Sequence, residues 1–221
     1  MLEARGLHVR LGDRDLLRGI DLAVQAGEIV CVVGENGAGK TMLLNALAGN
    51  DAVRGARISG EVWMAGRPVR AWPMAERARL RAVLLQRPEV GFAFTAREVV
   101  AIGRHASAAR GWMSAEERTI GEQALRLADA LHLADRDVAT LSGGERARVH
   151  LAAAFAQLWE SACASPRFLL LDEPTAALDL AHQYHVLASA REFCRGRGIG
   201  SVAVLHDLNL AARYADRVMI L

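Results

Sequence analysis

The stretch "VVGENGAGKTMLLNALAG", residues 32–49, constrains the fold more than any other part of the chain: an apolar strand runs into a glycine-rich bend and directly on into a helical pattern. Within it, Gly34-Glu35-Asn36-Gly37-Ala38-Gly39-Lys40-Thr41 spaces its glycines ahead of a lysine and a hydroxyl in the pattern of a loop that wraps phosphate. Glycines let the backbone curl until successive N–H groups point into one concavity, and the helix that follows adds its positive dipole end. Such a nest suits a di- or triphosphate. Lys40 would reach the β- and γ-phosphates as a compact charge, and the Thr41 hydroxyl would complete the shell of a magnesium ion. Of the chain's 27 basic residues Lys40 is the one lysine. The plainer alternative, a glycine turn that packs a helix on a sheet, is disfavoured by the full pattern standing between strand and helix.

Apolar, β-branched runs at Glu28–Val33, Ala82–Leu85, Phe168–Leu171, Ser201–Leu205 and Arg217–Leu221 read as buried strands, and helical patterns separate several of them. That alternation predicts an α/β fold with a mainly parallel sheet covered by helices. The first sixty or so residues differ. Strand-like pieces around Leu7, Leu22 and Glu61–Met64, with turns at Gly12, Gly27 and Gly66, predict an antiparallel β portion. From Arg87 to Thr140 strand signals give way to helical ones, with Ile120, Ala124, Leu127 and Leu131 at helix spacing. The expectation is one domain over 1–221, with a core at 1–86 and 141–221 and an all-helical insertion at about 87–140.

With 221 residues, 52% of them hydrophobic, the chain is long enough to bury a core of that size. A net charge of +2 supplies no dominant basic field, so nucleic acid is not an expected partner. No apolar run approaches the roughly 20 residues of a membrane helix, and the start MLEARGLHVR lacks a signal's apolar stretch, so a soluble, cytosolic chain is expected. Cys31, Cys163 and Cys194 lie far apart and read as reduced and structural rather than as a zinc site or disulfide framework.

The segment "RFLLLDEPTAALD" ends an apolar strand on two acids. Acids there are costly unless a cation or substrate meets them. Asp172 suits a direct or water-mediated magnesium contact. Glu173 suits a general base that polarises the attacking water, an effect worth about 10²–10⁴ in rate. Taken alone, the same residues also read as a helix cap before Pro174. In "LSGGE", residues 141–145, Ser142 and Glu145 have the spacing of a capping box. Gly143 and Gly144 are poor helix formers and leave bare N–H groups at a helix start, which makes a second phosphate-binding end.

The phosphate loop, Gln86 ending "AVLLQ", LSGGE, LLLDEP, Ala177-Leu178-Asp179 and His206 ending "SVAVLH" follow one another in this order. Together they resemble the nucleotide-binding subunit of an ABC transporter over essentially the whole chain. The resemblance implies an ATPase with the P-loop NTPase core, working with ATP and Mg²⁺. It implies that Gly34, Glu35, Asn36, Gly37, Ala38, Gly39, Lys40, Thr41 and Met42 bind nucleotide, that Asp172, Thr41 and Gln86 meet the metal, and that Glu173, Gln86 and His206 serve catalysis. Gln86 would touch Mg²⁺ or the attacking water and lead into the helical subdomain; His206 would hydrogen-bond the γ-phosphate. Two copies would pack head to tail, so that Ser142, Gly143 and Gly144 of each close over ATP on the other, with Asp179 in the loop crossing the interface. The implied partners are two membrane-spanning permease subunits and, indirectly, a periplasmic substrate-binding protein; the implied place is peripheral, on the cytoplasmic face of a bacterial inner membrane.

"LHDLNLAARYADRVMIL" is similar to importers of the iron–siderophore, haem and cobalamin group, and "FAQLWE" followed by "RFLLLDEPTAALDLAHQ" is similar more narrowly to haem (hemin) importer ATPases. Ferric siderophore or cobalamin remains the alternative cargo. A soluble ATPase of iron–sulfur assembly or DNA repair is a second alternative, and the short helical insertion without a long coiled coil disfavours the repair type. Three positions depart from the family. Leu11 stands where an aromatic residue stacks on adenine, Met42 replaces the second hydroxyl after Thr41, and the sequence stops just after a strand where members continue with a short tail, which implies a shortened form or a bare sheet edge. His182 and His185 share a helical spacing but read as solvated rather than as metal ligands. His8, His105, His132 and His150 have no constellation.

Overall fold

A computed structural model of the chain describes residues 1–50, 55–85, 93–105, 114–159, 165–176 and 178–221. The chain opens with β1 (Leu2–Leu11) and β2 (Arg14–Val24), then β3 (Ile29–Val33), α1 (Lys40–Ala48), β4 (Ala56–Met64), β5 (Arg67–Pro68), α2 (Met74–Leu80) and β6 (Arg81–Leu84). There follow α3 (Ala96–His105), α4 (Ala115–Leu127), α5 (Gly143–Gln157), β7 (Phe168–Asp172), α6 (Leu180–Gly196), β8 (Gly200–Val204), α7 (Leu208–Tyr214) and β9 (Arg217–Ile220).

The strands form two sheets. One is antiparallel, in the order β2-β1-β4-β5; the other runs β6-β7-β8-β3-β9, with every pairing in it parallel. Every residue of β3, β7 and β8 is buried, as central strands covered on both faces must be. In β1, by contrast, buried and exposed positions alternate in part and the pairing with β2 shifts register three times. The expected short pieces around Leu7 and Leu22 are therefore two long, bulged strands of 10 and 11 residues. Bulges bend a ribbon without ending its pairing, and local turn signals do not reveal that.

Two apolar clusters lie on opposite sides of the parallel sheet. One packs α1 and the antiparallel sheet against Val30, Val32, Leu170, Val202 and Val204. The other gathers Cys31, Leu169, Leu171 and Ala203 with α5, α6 and the helices α3 and α4. Between 93 and 140 the regular elements among the described residues are helices and 3₁₀ turns, joined by short turns and with a single bridge from Thr95 to Asp137. Leu131 does not continue α4: that helix ends at Leu127, and Leu131 opens a separate 3₁₀ turn after Asp129, whose φ is +53°. Inside this region Arg104, almost fully buried on α3, pairs with Glu117 of α4 at 2.6 Å and also donates to the Ala156 carbonyl of α5. Cys31 and Cys194 are free and buried, and burial pushes both thiols up to about 12, so they are inert; Cys163 lies outside the described residues.

Candidate functional site

Because β7, β8 and β3 are neighbours in the sheet, their carboxyl ends stand side by side at the strand spacing of about 4.8 Å. Open parallel sheets bind ligands at that edge. The segments that leave it are the glycine loop after β3, Glu173 after β7 and His206 after β8.

The loop is held in shape by what surrounds it. A Cβ at residue 34 would lie 2.5 Å from the Leu221 carbonyl oxygen beyond β9, so the close approach of that backbone requires Gly34. Gly39 has φ of +95°, and a Cβ there would meet a Leu17 methyl at 2.8 Å and the Leu16 carbonyl at 3.1 Å, so the loop is seated directly on β2. Gly39 is also the N-cap of α1 and contributes no capping side chain, which leaves the helix's first N–H groups to an anion. Lys40 is only 5% exposed, and its ammonium donates to the carbonyls of Gly34 and Glu35, each at 2.8 Å. Buried charge at that position is stable only while oxygens surround it. Met42 is part-buried, and its side chain packs onto the apolar cluster beneath α1.

Thr41 donates its hydroxyl to Asp172 Oδ1 at 3.2 Å, across 131 residues of sequence. Asp172 is 2% exposed; burial raises its carboxyl above the ordinary range, and the Thr41 hydrogen bond opposes that rise. A hydroxyl and a carboxylate side by side are a hard oxygen pair that fits Mg²⁺, which takes one or two protein oxygens and completes its octahedron with phosphate and water. Among the described residues no cluster of three or more His, Cys, Asp or Glu forms a fuller cage. Glu173 follows with φ of +49°, a left-handed conformation that strains a residue with a side chain. Its Oε1 lies 2.6 Å from His206 Nε2, with the Glu173 side chain 13% and the His206 side chain 44% exposed. An acid and an imidazole in contact beside a phosphate loop are groups suited to proton transfer.

A cleft of about 240 Å³ is lined by Asn36, Gly37, Gly39, Lys40, Thr41, Met42 and Glu173. Arg14 and Leu16 of β2 complete it. Both escaped the sequence reading. Their alternation puts them on one face of β2, a sequence signal, but only the seat of the loop on that strand says what they face. Leu11, 40% exposed, pairs with Arg14 across the β1–β2 hairpin and does not line the cleft.

Ser142, Gly143 and Gly144 do not line the cleft either. Ser142 caps α5 in a full capping box with Glu145, and both glycines lie in the helix's first turn, where their N–H groups carry the dipole's positive end. Asp179 caps α6, accepting from the His182 N–H at 2.9 Å, and His182 Nδ1 lies 2.8 Å from the same oxygen. His185 instead faces Ser189, so the two histidines share no ligand. Gln86 and Ala177 lie outside the described residues. No helix among the described residues is long and apolar enough to cross a membrane.

With this geometry in hand, comparison with known proteins is specific. Residues 17–176 match the family model described as ABC transporter. The chain is 51% identical over 221 residues to the hemin import ATP-binding protein HmuV of Gloeobacter violaceus, covering all of this chain and 78% of that protein. It is 48% identical over 228 aligned positions to the protein of the same name from Burkholderia thailandensis, covering all of this chain and 84% of that one. Among solved structures, the dimeric post-hydrolysis state of the ATP-binding cassette MJ0796 bound to ADP and Pi superposes with a TM-score of 0.83 at 26% identity, over all of this chain and 94% of that one.

Proposed function

The chain belongs to the ABC transporter family, and from that premise we propose that it is the ATP-hydrolysing subunit of a bacterial importer that powers hemin uptake across the inner membrane. The observation that carries the hydrolytic reading is the convergence, at one sheet edge, of a buried lysine in a glycine loop, the Thr41–Asp172 oxygen pair and the Glu173–His206 pair. The cargo is supported by relatives named for hemin import that match this chain from end to end.

In this reading the amides of Gly34 to Met42 and the Lys40 ammonium bind the β- and γ-phosphates of ATP. Thr41, Asp172 and Gln86 would hold Mg²⁺, which would neutralise charge on the phosphates. Glu173 accepts a proton from water as the water oxygen bonds to the γ-phosphorus and the bond to the bridging oxygen breaks, releasing ADP and phosphate. His206, beside Glu173, donates to a γ-phosphate oxygen. Two chains pack head to tail, each offering Ser142, Gly143 and Gly144 to the nucleotide of the other, with Asp179 at the crossing. The whole of 1–221 acts as one ATPase domain, and the helical region at about 87–140 transmits closure to two permease subunits fed by a periplasmic binding protein. The chain sits peripherally on the cytoplasmic face.

Two measurements test this. Mg-ATP hydrolysis by the purified chain should fall at least a hundredfold in Glu173→Gln; hydrolysis at the unaltered rate removes Glu173 as the base. Cells lacking the chain should lose hemin uptake while ferric siderophore and cobalamin uptake continue, and the reverse pattern reassigns the cargo.

A further inference from the structure

We propose that Gln183 is a positioning residue for hydrolysis: from the first turn of α6 it braces Thr175 and Leu178, which lie in sequence between Glu173 and Asp179. The inference rests on the reading of Glu173 as the base. After β7 two long backbone bonds link described residues, Ala176 N–H to the Glu173 carbonyl and Leu178 N–H to the Thr175 carbonyl, both at 3.2 Å. Neither would by itself hold a residue in the left-handed region. A conformation such as that of Glu173, at φ +49°, persists only where its surroundings over-determine it.

The additional restraint comes from the helix. The Gln183 side-chain amide donates to the Leu178 carbonyl at 3.0 Å and to the Thr175 carbonyl at 3.4 Å, so one NH₂ group holds both of these backbone oxygens. The Gln183 backbone N–H in turn donates to the Asp179 carbonyl at 2.9 Å, which ties the brace to the helix start. His182 holds the far end through the Asp179 carboxylate. A rigid element thus holds Thr175, Leu178 and Asp179, as a precise site requires of its supporting groups. Gln183 does not line the nucleotide cleft, so its loss changes where the base stands and leaves the phosphate contacts as they were. A displacement of about 1 Å at a reacting group is enough to slow a reaction a hundredfold, and partial loss of the brace should slow it about tenfold.

The test uses the full chain with Mg-ATP. Gln183→Met keeps length and removes both donors; Gln183→Lys restores N–H donors. The expected result is kcat about tenfold lower in Gln183→Met, KM for ATP within about twofold of the unaltered chain, and most of kcat recovered in Gln183→Lys. Unchanged kcat in Gln183→Met overturns the proposal, as does a rise in KM at constant kcat, or equal impairment of the two variants. Thermal unfolding checks that each variant is folded, and if Gln183→Met is not, Gln183→Glu, which offers only acceptors, takes its place against Gln183→Lys. Failure of the broader reading looks different: the unaltered chain would then show no hydrolysis that Glu173→Gln abolishes.

Discussion

Glu173→Asn should make the protein more stable while it ends hydrolysis. Glu173 sits at φ +49°, where a residue with an ordinary side chain pays about 1–2 kcal/mol and asparagine much less. Its charge is also one of the causes that lift the neighbouring Asp172 carboxyl, so neutralising it removes a like-charge contact. Against these gains stands the loss of the 2.6 Å pairing with His206, and because that imidazole is 44% exposed, solvent screening limits the pairing to about 0–1 kcal/mol. The balance is a gain of about 1 kcal/mol, which for a chain of this length raises Tm by about 2–4 °C. Differential scanning fluorimetry without nucleotide, beside a steady-state phosphate-release assay, reads both effects; the hydrolysis rate should fall by about 10²–10⁴. A Tm lower than that of the unaltered chain would refute the reasoning, since strain at residue 173 would then contribute less than its pairing.

His150 gives a pH dependence whose sign follows from its surroundings: burial and the Arg146 charge hold its imidazole below the ordinary value, and its Nε2 is buried without a hydrogen-bond partner. The stability it contributes is present above the ordinary histidine range, about pH 6.5, and is lost as pH falls through the lower folded value; His150→Leu should flatten that acid-side loss in denaturant titrations at a series of pH values, and an unchanged slope counts against it. Glu117→Gln leaves Arg104 buried beside a neutral partner, which should cost about 3–5 kcal/mol, a Tm drop of at least about 6 °C, and the double change Arg104→Met with Glu117→Leu should recover most of it. Met42→Thr trades an apolar contact with the cluster beneath α1 for a hydroxyl at the phosphate loop; Tm should fall by a few degrees, at about 1 kcal/mol for the lost apolar contact, while ATP affinity rises, and equal affinity in the two proteins would mean that the missing hydroxyl has no role.

Read by itself, the sequence determined those features whose cause is local. Apolar runs at Glu28–Val33, Phe168–Leu171 and Ser201–Leu205 became β3, β7 and β8 within a residue or so at each end, because a strand buried on both faces has to be continuously apolar, and the run at Arg217–Leu221 became the mostly exposed edge strand β9. Glycines before Lys40 and the serine at 142 likewise announce a loop and a helix cap wherever they stand. Tertiary structure alone decided which of these features meet. Five short apolar strands are interchangeable by pattern, and the order β6-β7-β8-β3-β9 is a matter of long-range pairing; that order brings Thr41 to Asp172 and His206 to Glu173. The same holds for Arg14 and Leu16 beside the glycine loop, for Arg104 on Glu117, and for Gln183 on the segment behind Glu173. Hydrophobic periodicity records which face of an element is buried but carries no information about the partner that buries it, and for that reason the chemistry of each group was legible in the sequence while the geometry that joins them was not.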